Sequence, residues 1–155
     1  MLANFEAWNG WEVMPSGITI DSGAAETVCP EDTGKHYKLK PSIGSEAGLE
    51  YQSATGEAIT NLGEKELSLM LNDGSTRLMN FQVAKGVSKP LGSVSRICAA
   101  GHRVVFDDEG SFIEHKTTGQ TTWLRQENGV YVLDAWLAPP TKDDKSGFTR
   151  QGEKR

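Results

Sequence analysis

The chain lacks several features that would place it in a broad class of proteins. Acidic and basic residues are interspersed and sum to a net charge of −5, so no basic surface for nucleic acid is indicated. Two cysteines, Cys29 and Cys98, are too few and too far apart for a disulfide framework, which favours reduced thiols. No apolar run approaches the ~18 residues of a membrane span, and no signal-peptide pattern opens the chain. We therefore expect an intracellular, cytoplasmic protein with no membrane partner and no direct nucleic-acid binding.

Amphipathic helical patterns are scarce, whereas glycines and alternating apolar residues are frequent. Only Ser93–Ala100 has the pattern of a short helix, with an N-cap serine, an apolar face of Val94, Ile97 and Cys98, and Gly101 at its end. At 155 residues the chain suffices for one domain and a tail. These features predict a mainly β fold with one short helix.

Turn signals divide the predicted strands into hairpins. Leu49–Leu62 is predicted as a hairpin with its tip at Thr55-Gly56, and Leu67–Leu71 is joined to the next strand through Asn72-Asp73-Gly74. The polar stretch Pro30–Gly48 is predicted as a surface loop. After the predicted helix at Ser93–Ala100, a β-meander is predicted with strands at Arg103–Phe106, Ser111–Lys116, Thr121–Arg125 and Val130–Leu137.

The most informative run is residues 18–28, Ile-Thr-Ile-Asp-Ser-Gly-Ala-Ala-Glu-Thr-Val. Alternating Ile18 and Ile20 predict a strand that ends at Asp21, which then enters a Ser-Gly-Ala turn. The glycine of such a turn allows close approach of a substrate or a second chain. Asp, Ser and Gly are also favoured in ordinary turns, so the tripeptide alone does not identify a function.

The run resembles the active-site loop of aspartic proteases, and most closely that of the retroviral-type (A2) branch, the retropepsins. Two further segments fit in order: the Tyr51–Leu62 hairpin lies where retropepsins carry the flap, and Pro90-Leu91-Gly92 precedes the short helix like the apolar–Gly element behind their catalytic loop. Retroviral enzymes usually follow that glycine with Arg and then Asn or Asp, whereas this chain has Ser93 and Val94. The polar bond of that arginine must therefore be absent or replaced.

The resemblance implies a retropepsin-like closed barrel that hydrolyses peptide bonds without metal or cofactor. The motif occurs once, so the catalytic pair would be Asp21 from each protomer of a homodimer, acting on a polypeptide substrate, in this case its own polyprotein. The resemblance assigns the active-site loop and dimer contact to Ser22 and Gly23, substrate binding to Ala24, Ala25, Glu26, Thr55 and Gly56, and structural support to Leu91 and Gly92.

The stretch from Gly101 to Leu137 resembles the segment that follows the protease in copia-type retrotransposon polyproteins. The predicted division is therefore an N-terminal arm at 1–14, the protease domain at 15–106, a β-hairpin or meander extension at 107–138, and a disordered polar tail at 139–155.

Several alternatives stay open at this point. The chain could be a catalytically inactive retropepsin-fold module for dimerisation or peptide binding within a polyprotein, or a structural spacer. Glu26 could bind substrate backbone or be solvated, and Thr55-Gly56 could be an ordinary hairpin tip. Cys98 and His102 have metal-ligand spacing but no second close pair, so we expect no metal site, with Cys98 buried and His102 at the surface.

Overall fold

The computed structural model describes residues 10–52 and 56–139, and in them the expected mainly β class is confirmed. These residues form twelve strands and two short helices. In chain order they are β1 (Glu12–Val13), β2 (Ile18–Asp21), β3 (Val28–Cys29), α1 (Ile43–Glu46), β4 (Glu50–Gln52), β5 (Ala58–Leu71), β6 (Thr76–Ala84), β7 (Leu91–Ser93), α2 (Val94–Ala99), β8 (His102–Val105), β9 (Ser111–His115), β10 (Thr121–Glu127), β11 (Val130–Leu133) and β12 (Ala135–Leu137).

The strands form one mixed sheet in the order β1-β12-β5-β6-β3-β7-β2-β11-β10-β9-β8, with β4 attached to β5. Two pairs, β2 with β7 and β3 with β6, are parallel, and the remaining pairs are antiparallel. The path has two ends, so the sheet is open. The closed barrel expected from the resemblance is not shown.

The β5–β6 hairpin is longer than the sequence indicates. Two separate strands were expected on either side of Gly63, but β5 runs without interruption from Ala58 to Leu71, with a register shift between Asn61 and Gly63. Gly63 has φ +139°, and a Cβ there would lie 2.4 Å from the Lys40 carbonyl oxygen. The strand continues because glycine absorbs this close approach.

The predicted loop at 30–48 contains a helix that was not expected. In α1, Ser42 and Ser45 form a capping box: the Ser45 amide donates to Ser42 Oγ (3.1 Å), and the Ser42 amide donates to Ser45 Oγ (2.9 Å). The expectation of a single helix is therefore wrong, and the missed signal was this serine pair. No helix in the described part of the chain is both long and apolar enough to cross a membrane.

The expected meander is present from β8 to β11, with antiparallel pairing throughout. Asn128 and Gly129 both have positive φ (52° and 83°), as a tight two-residue hairpin turn requires. The last predicted strand is divided at Asp134, whose carboxylate accepts two bonds from the Arg125 guanidinium (3.1 and 2.9 Å). This division allows β11 to pair with β2 and β12 to pair with β5.

The buried core draws on strands from both halves of the chain. Ile18 of β2, Leu67 and Leu69 of β5, and Phe81 of β6 are fully buried, and Leu133 of β11 packs in the same cluster. Burial of such a side chain stabilises the fold by roughly 1.5–3 kcal/mol. Strands on both sides of residue 106 thus hold β2 in place, while the domain bounds inferred from the sequence stay a prediction.

Candidate active-site loop

Asp21 is the last residue of a strand that is held on both sides. Strand β2 pairs in parallel with β7, where Ile20 lies opposite Gly92 and Asp21 opposite Ser93, and in antiparallel fashion with β11. Ile18 and Ile20 are buried, whereas Asp21 is half-buried at the strand end. Because the apolar residues anchor the strand, the carboxylate is presented at a fixed position.

The Asp21 carboxylate is held by its own loop. The Gly23 amide donates to Asp21 Oδ1 at 2.8 Å, and the Ala24 amide donates weakly to the Asp21 carbonyl oxygen at 3.4 Å. Ser22, Gly23 and Ala25 are exposed. A Cβ added at Gly23 would lie 3.3 Å from the same carboxylate oxygen, so glycine keeps this turn tight. The loop therefore restricts the carboxylate rotamer and leaves the turn accessible from solvent.

Ser93 ties this loop to the start of α2. It is fully buried, and its Oγ donates to the Ala24 carbonyl oxygen (2.7 Å) while accepting from the Arg96 amide (3.2 Å) as the helix N-cap. The Ser93 amide in turn donates to Oγ1 of buried Thr27 (3.0 Å). These bonds occupy the position where retroviral enzymes usually carry arginine, so short hydroxyl contacts connect the loop and the helix instead.

Glu26 has a partner that the sequence analysis did not consider. Its carboxylate forms an ion pair with the Arg96 guanidinium of α2. The Arg96 side chain is 59% exposed and that of Glu26 is 30% exposed, so the pair contributes little stability, at most about 1 kcal/mol. Its effect is geometric, because it fixes the far end of the loop against the helix.

Leu91 and Gly92 lie directly beside β2. Gly92 is buried, and a Cβ added there would lie 3.0 Å from Ile20 Cδ1 and 3.3 Å from Ile18 Cγ2. Leu91 pairs with Thr19 on one side and Val28 on the other. The structure thus places Leu91 and Gly92 against the strand that carries Asp21.

The predicted flap is a hairpin in its described part. Strands β4 and β5 pair from Glu50 opposite Thr60 to Gln52 opposite Ala58, and exposed Gly56 has φ +88°. Thr55 lies outside the described residues. The structure brings residues 21–26, 91 and 92 together, whereas Gly56 lies on this separate hairpin.

A buried lysine shapes the loop after β3. Lys65 Nζ donates to the main-chain carbonyl oxygens of Glu31 (3.2 Å), Thr33 (2.8 Å) and Gly34 (3.1 Å), which uses all three of its donors. Burial lowers the pKa of this lysine, and burial raises the pKa of the nearby Cys29 thiol to about 12. Lys65 was not among the residues predicted to be buried, although it lies in phase with the buried leucines of β5.

The expectation for Cys98 is wrong, because its side chain is exposed. Helix α2 packs on the core through Val94 and Ile97 and leaves its last turn uncovered. His102 is half-buried, with Nδ1 3.3 Å from the Ile97 carbonyl oxygen and its ring 5.0 Å from that of His115. Within residues 10–52 and 56–139, no three His, Cys, Asp or Glu side chains are grouped so as to hold a metal ion.

No family model, curated protein or solved structure matches the chain. The retropepsin resemblance therefore depends on the loop, hairpin and strand–helix residues described above, and the activity it implies is a proposal.

Proposed function

We propose that this chain is a retropepsin-type aspartic endopeptidase that acts as a homodimer and cleaves its parent retroelement polyprotein in the cytoplasm. The observation that carries the proposal is the Asp21 carboxylate, presented at the end of a strand with a buried core and held by the Gly23 amide at 2.8 Å. A carboxylate fixed on a rigid strand end is suited to chemistry that requires precise placement.

Asp21 of one chain would supply half of a catalytic pair. Two carboxylates a few ångströms apart do not both ionise easily, so they share a proton, and the titration belongs to the pair. One Asp21 carboxylate then removes a proton from the attacking water, while the other donates a hydrogen bond or proton to the scissile carbonyl oxygen. Water is the nucleophile, and the proposed mechanism includes no metal or cofactor.

The remaining loop residues would position the pair and the substrate. Ser22 would bond across the dimer beneath the two carboxylates, and exposed Gly23 accepts close approach of substrate backbone. The side chains of Ala24 and Ala25 would line the cleft. Glu26 would contribute through the loop end that its ion pair with Arg96 holds in place.

A second copy of the chain would find one unpaired strand edge at β8. This strand ends the sheet path, so one of its edges has no strand partner in the described part of the chain. The unpaired amide and carbonyl groups of such an edge can pair with a second copy.

Mixed dimers test the proposal directly. Wild-type chain and Asp21→Asn chain are unfolded, mixed in equal amounts and refolded together, and cleavage of a peptide library is measured between about pH 4 and 6. If each active site needs one Asp21 from each chain, random pairing leaves only about a quarter of the dimers fully active. Wild-type chain diluted twofold with buffer instead of variant should retain about half of the activity of the undiluted sample, provided that the dimer stays associated.

Asp108→Asn is the matched control, because Asp108 is an exposed aspartate outside the loop. A mixture of this variant with wild type should keep full activity, and a pepstatin-type inhibitor should abolish it. A sample that sedimentation shows to be dimeric but that cleaves no peptide would refute the enzyme proposal. That outcome would favour the non-catalytic dimerisation or peptide-binding module.

A further inference from the structure

A groove of about 490 Å³ lies between β6 and the α2–β8 connection; Asp21 does not line it, whereas Glu26 and Thr27 of the candidate loop do. Apolar side chains form most of its wall, and five charged or titratable side chains also line it: Glu26, Arg77, Arg96, His102 and His115. The apolar wall includes Leu69, Leu71, Met79, Ile97, Ile113 and Leu133.

One rim of this groove is an unpaired strand edge. On the side of β6 away from β5, strand β3 pairs with Gln82 and Val83 only. Two hydrogen bonds show which main-chain groups face β5 and which face away from it. The Ser75 carbonyl oxygen accepts from the Leu71 amide of β5 (2.8 Å), whereas the Gln82 amide donates away from β5, to the Thr27 carbonyl oxygen (2.9 Å). Because main-chain direction alternates along an antiparallel strand, even-numbered residues of β6 point away from β5.

Leu78 and Asn80 are therefore the two residues whose amide and carbonyl groups face the groove. Both line it, and neither has a main-chain hydrogen bond on that side among the described residues. The Leu78 side chain is 69% exposed. Edge strands are normally protected by proline, by a bulge or by outward-pointing lysine, and β6 has none of these between Thr76 and Phe81.

Arg77 supplies a positive charge at the end of the groove near β9. The Arg77 guanidinium donates to two neutral acceptors, the Thr76 carbonyl oxygen (2.9 Å) and Gln120 Oε1 (3.0 Å). Burial lowers the pKa of His102, and His115 and Arg77 lower it further. A nearby positive charge has this effect, so an anionic group placed here would be favoured.

Two carboxylates near the groove are already engaged. Glu26, at the opposite end, is paired with Arg96. Asp73, beyond Gln120, accepts hydrogen bonds from Gln120, Thr122 and Ser75. Neither of them bonds to Arg77 in the described residues.

We propose that the free edge of β6 binds an extended polypeptide segment of a partner protein, which adds a strand beside Leu78 and Asn80 and places an acidic side chain near Arg77, His102 and His115. Only a polypeptide strand offers amide and carbonyl groups at the two-residue repeat that this edge presents. Alternate side chains of the added strand would lie on the apolar wall. The site does not include Asp21, and it adjoins the candidate active-site loop at Glu26.

The test is a binding measurement with a labelled peptide, fluorescein-Thr-Val-Thr-Val-Glu-amide, followed by fluorescence anisotropy. The protein carries Asp21→Asn, so that hydrolysis cannot consume the probe and the result does not depend on the proposed protease activity. We expect saturable binding that weakens at least about tenfold when alternate peptide amides are methylated, because two or more hydrogen bonds are lost. Replacement of the peptide Glu by Lys should also weaken it.

Protein variants locate the binding site. Leu78→Pro removes an outward-facing amide and blocks pairing, whereas Leu78→Ala removes the side chain and keeps the amide. Binding should be lost in the first variant and largely kept in the second, with circular dichroism confirming that both are folded. If Leu78→Pro does not fold, the comparison of methylated and unmethylated peptides still tests whether binding requires strand pairing.

Three outcomes would overturn the proposal. Equal binding of methylated and unmethylated peptides would show that the groove binds apolar side chains without strand pairing. Equal binding to the Leu78→Pro and Leu78→Ala proteins would place the peptide elsewhere. Self-association that Leu78→Pro abolishes, with no peptide binding to any variant, would show that a second copy of the chain occupies this edge.

Discussion

Replacement of Gly92 by alanine is the sharpest probe of how the fold supports Asp21. The added Cβ would lie 3.0 Å from Ile20 Cδ1, 3.3 Å from Ile18 Cγ2 and 3.6 Å from Ile97 Cδ1. The first two distances are shorter than ordinary van der Waals contacts, so the Ile20 and Ile18 side chains, or the strand that carries them, must move by a few tenths of an ångström. Overpacking of this kind typically costs about 1–3 kcal/mol, partly offset by the lower chain entropy of unfolded alanine. Since Asp21 ends β2, a displacement of this strand should also reduce peptide cleavage if the proposed protease function holds.

Ile20→Val separates this steric effect from a general loss of stability. Valine lacks the Cδ1 atom that the new Cβ would approach most closely, and alone the change should cost about 0.5–1.5 kcal/mol. In the double variant the crowding is relieved, so the free energy of unfolding should exceed the additive expectation by about 1 kcal/mol. Urea unfolding followed by tryptophan fluorescence measures all four proteins. Strictly additive effects would refute the packing argument.

Three further predictions concern groups around the loop and the helix. Ser93→Ala should lower the free energy of unfolding by about 1–3 kcal/mol in urea titrations, because it removes a helix cap and a buried hydrogen bond, whereas Ser95→Ala, which removes an exposed hydroxyl bonded to Ser93 Oγ, should cost less. In native protein at neutral pH a disulfide reagent should modify Cys98 and spare Cys29 until denaturant is added, since Cys29 is fully buried with a pKa raised to about 12; rapid loss of both thiols would contradict the core packing. Burial lowers the pKa of His102 below its usual 6.5, so the unfolded chain binds more protons than the folded chain at mildly acidic pH. The free energy of unfolding should therefore fall as the pH drops below about 6.5. His102→Gln should reduce this pH dependence, measured as urea unfolding midpoints at several pH values.

Local patterns predicted the strands and turns whose signals are contained in a few neighbouring residues. The alternation of Ile18 and Ile20 and the Asn128-Gly129 turn both correspond to observed elements. The pattern failed at β5, where two strands were expected on either side of Gly63 and one continuous strand is observed. This strand also buries Lys65, because three main-chain carbonyl oxygens bind its ammonium group, and these acceptors lie some 30 residues away in sequence.

The sequence predicted which residues form the candidate site, but not the hydrogen bonds and ion pair that hold its loop. The resemblance placed Asp21 and Gly92 in one site, and the structure pairs their strands. It did not predict that Ser93, Thr27 and Arg96 hold the loop, because each acts on a residue about 70 positions away or through a partner set only by strand pairing. The sequence around a hydroxyl or guanidinium side chain does not identify a hydrogen-bond partner that lies so far away in the chain.

The position of β11 and β12 leads to a prediction about where an independent folding unit can end. A chain cut after Phe106 would lose β11, which pairs with β2, and β12, which pairs with β5. Four large buried side chains would be lost with them, Val132, Leu133, Trp136 and Leu137. At roughly 1.5–3 kcal/mol each, their burial is worth about 6–12 kcal/mol, comparable to the whole stability of a typical domain.

The chain ending at residue 106 should therefore show no cooperative thermal unfolding, whereas a chain ending at residue 139, which keeps β11 and β12, should unfold cooperatively. Far-UV circular dichroism melts of the two truncations, beside the 155-residue protein, make the comparison. Cooperative unfolding and peptide cleavage by the shorter chain would show that the protease unit predicted at 15–106 folds alone. In that case β11 and β12 would be additions to a completed core, and Asp21 would owe its position to β7 and α2 without them.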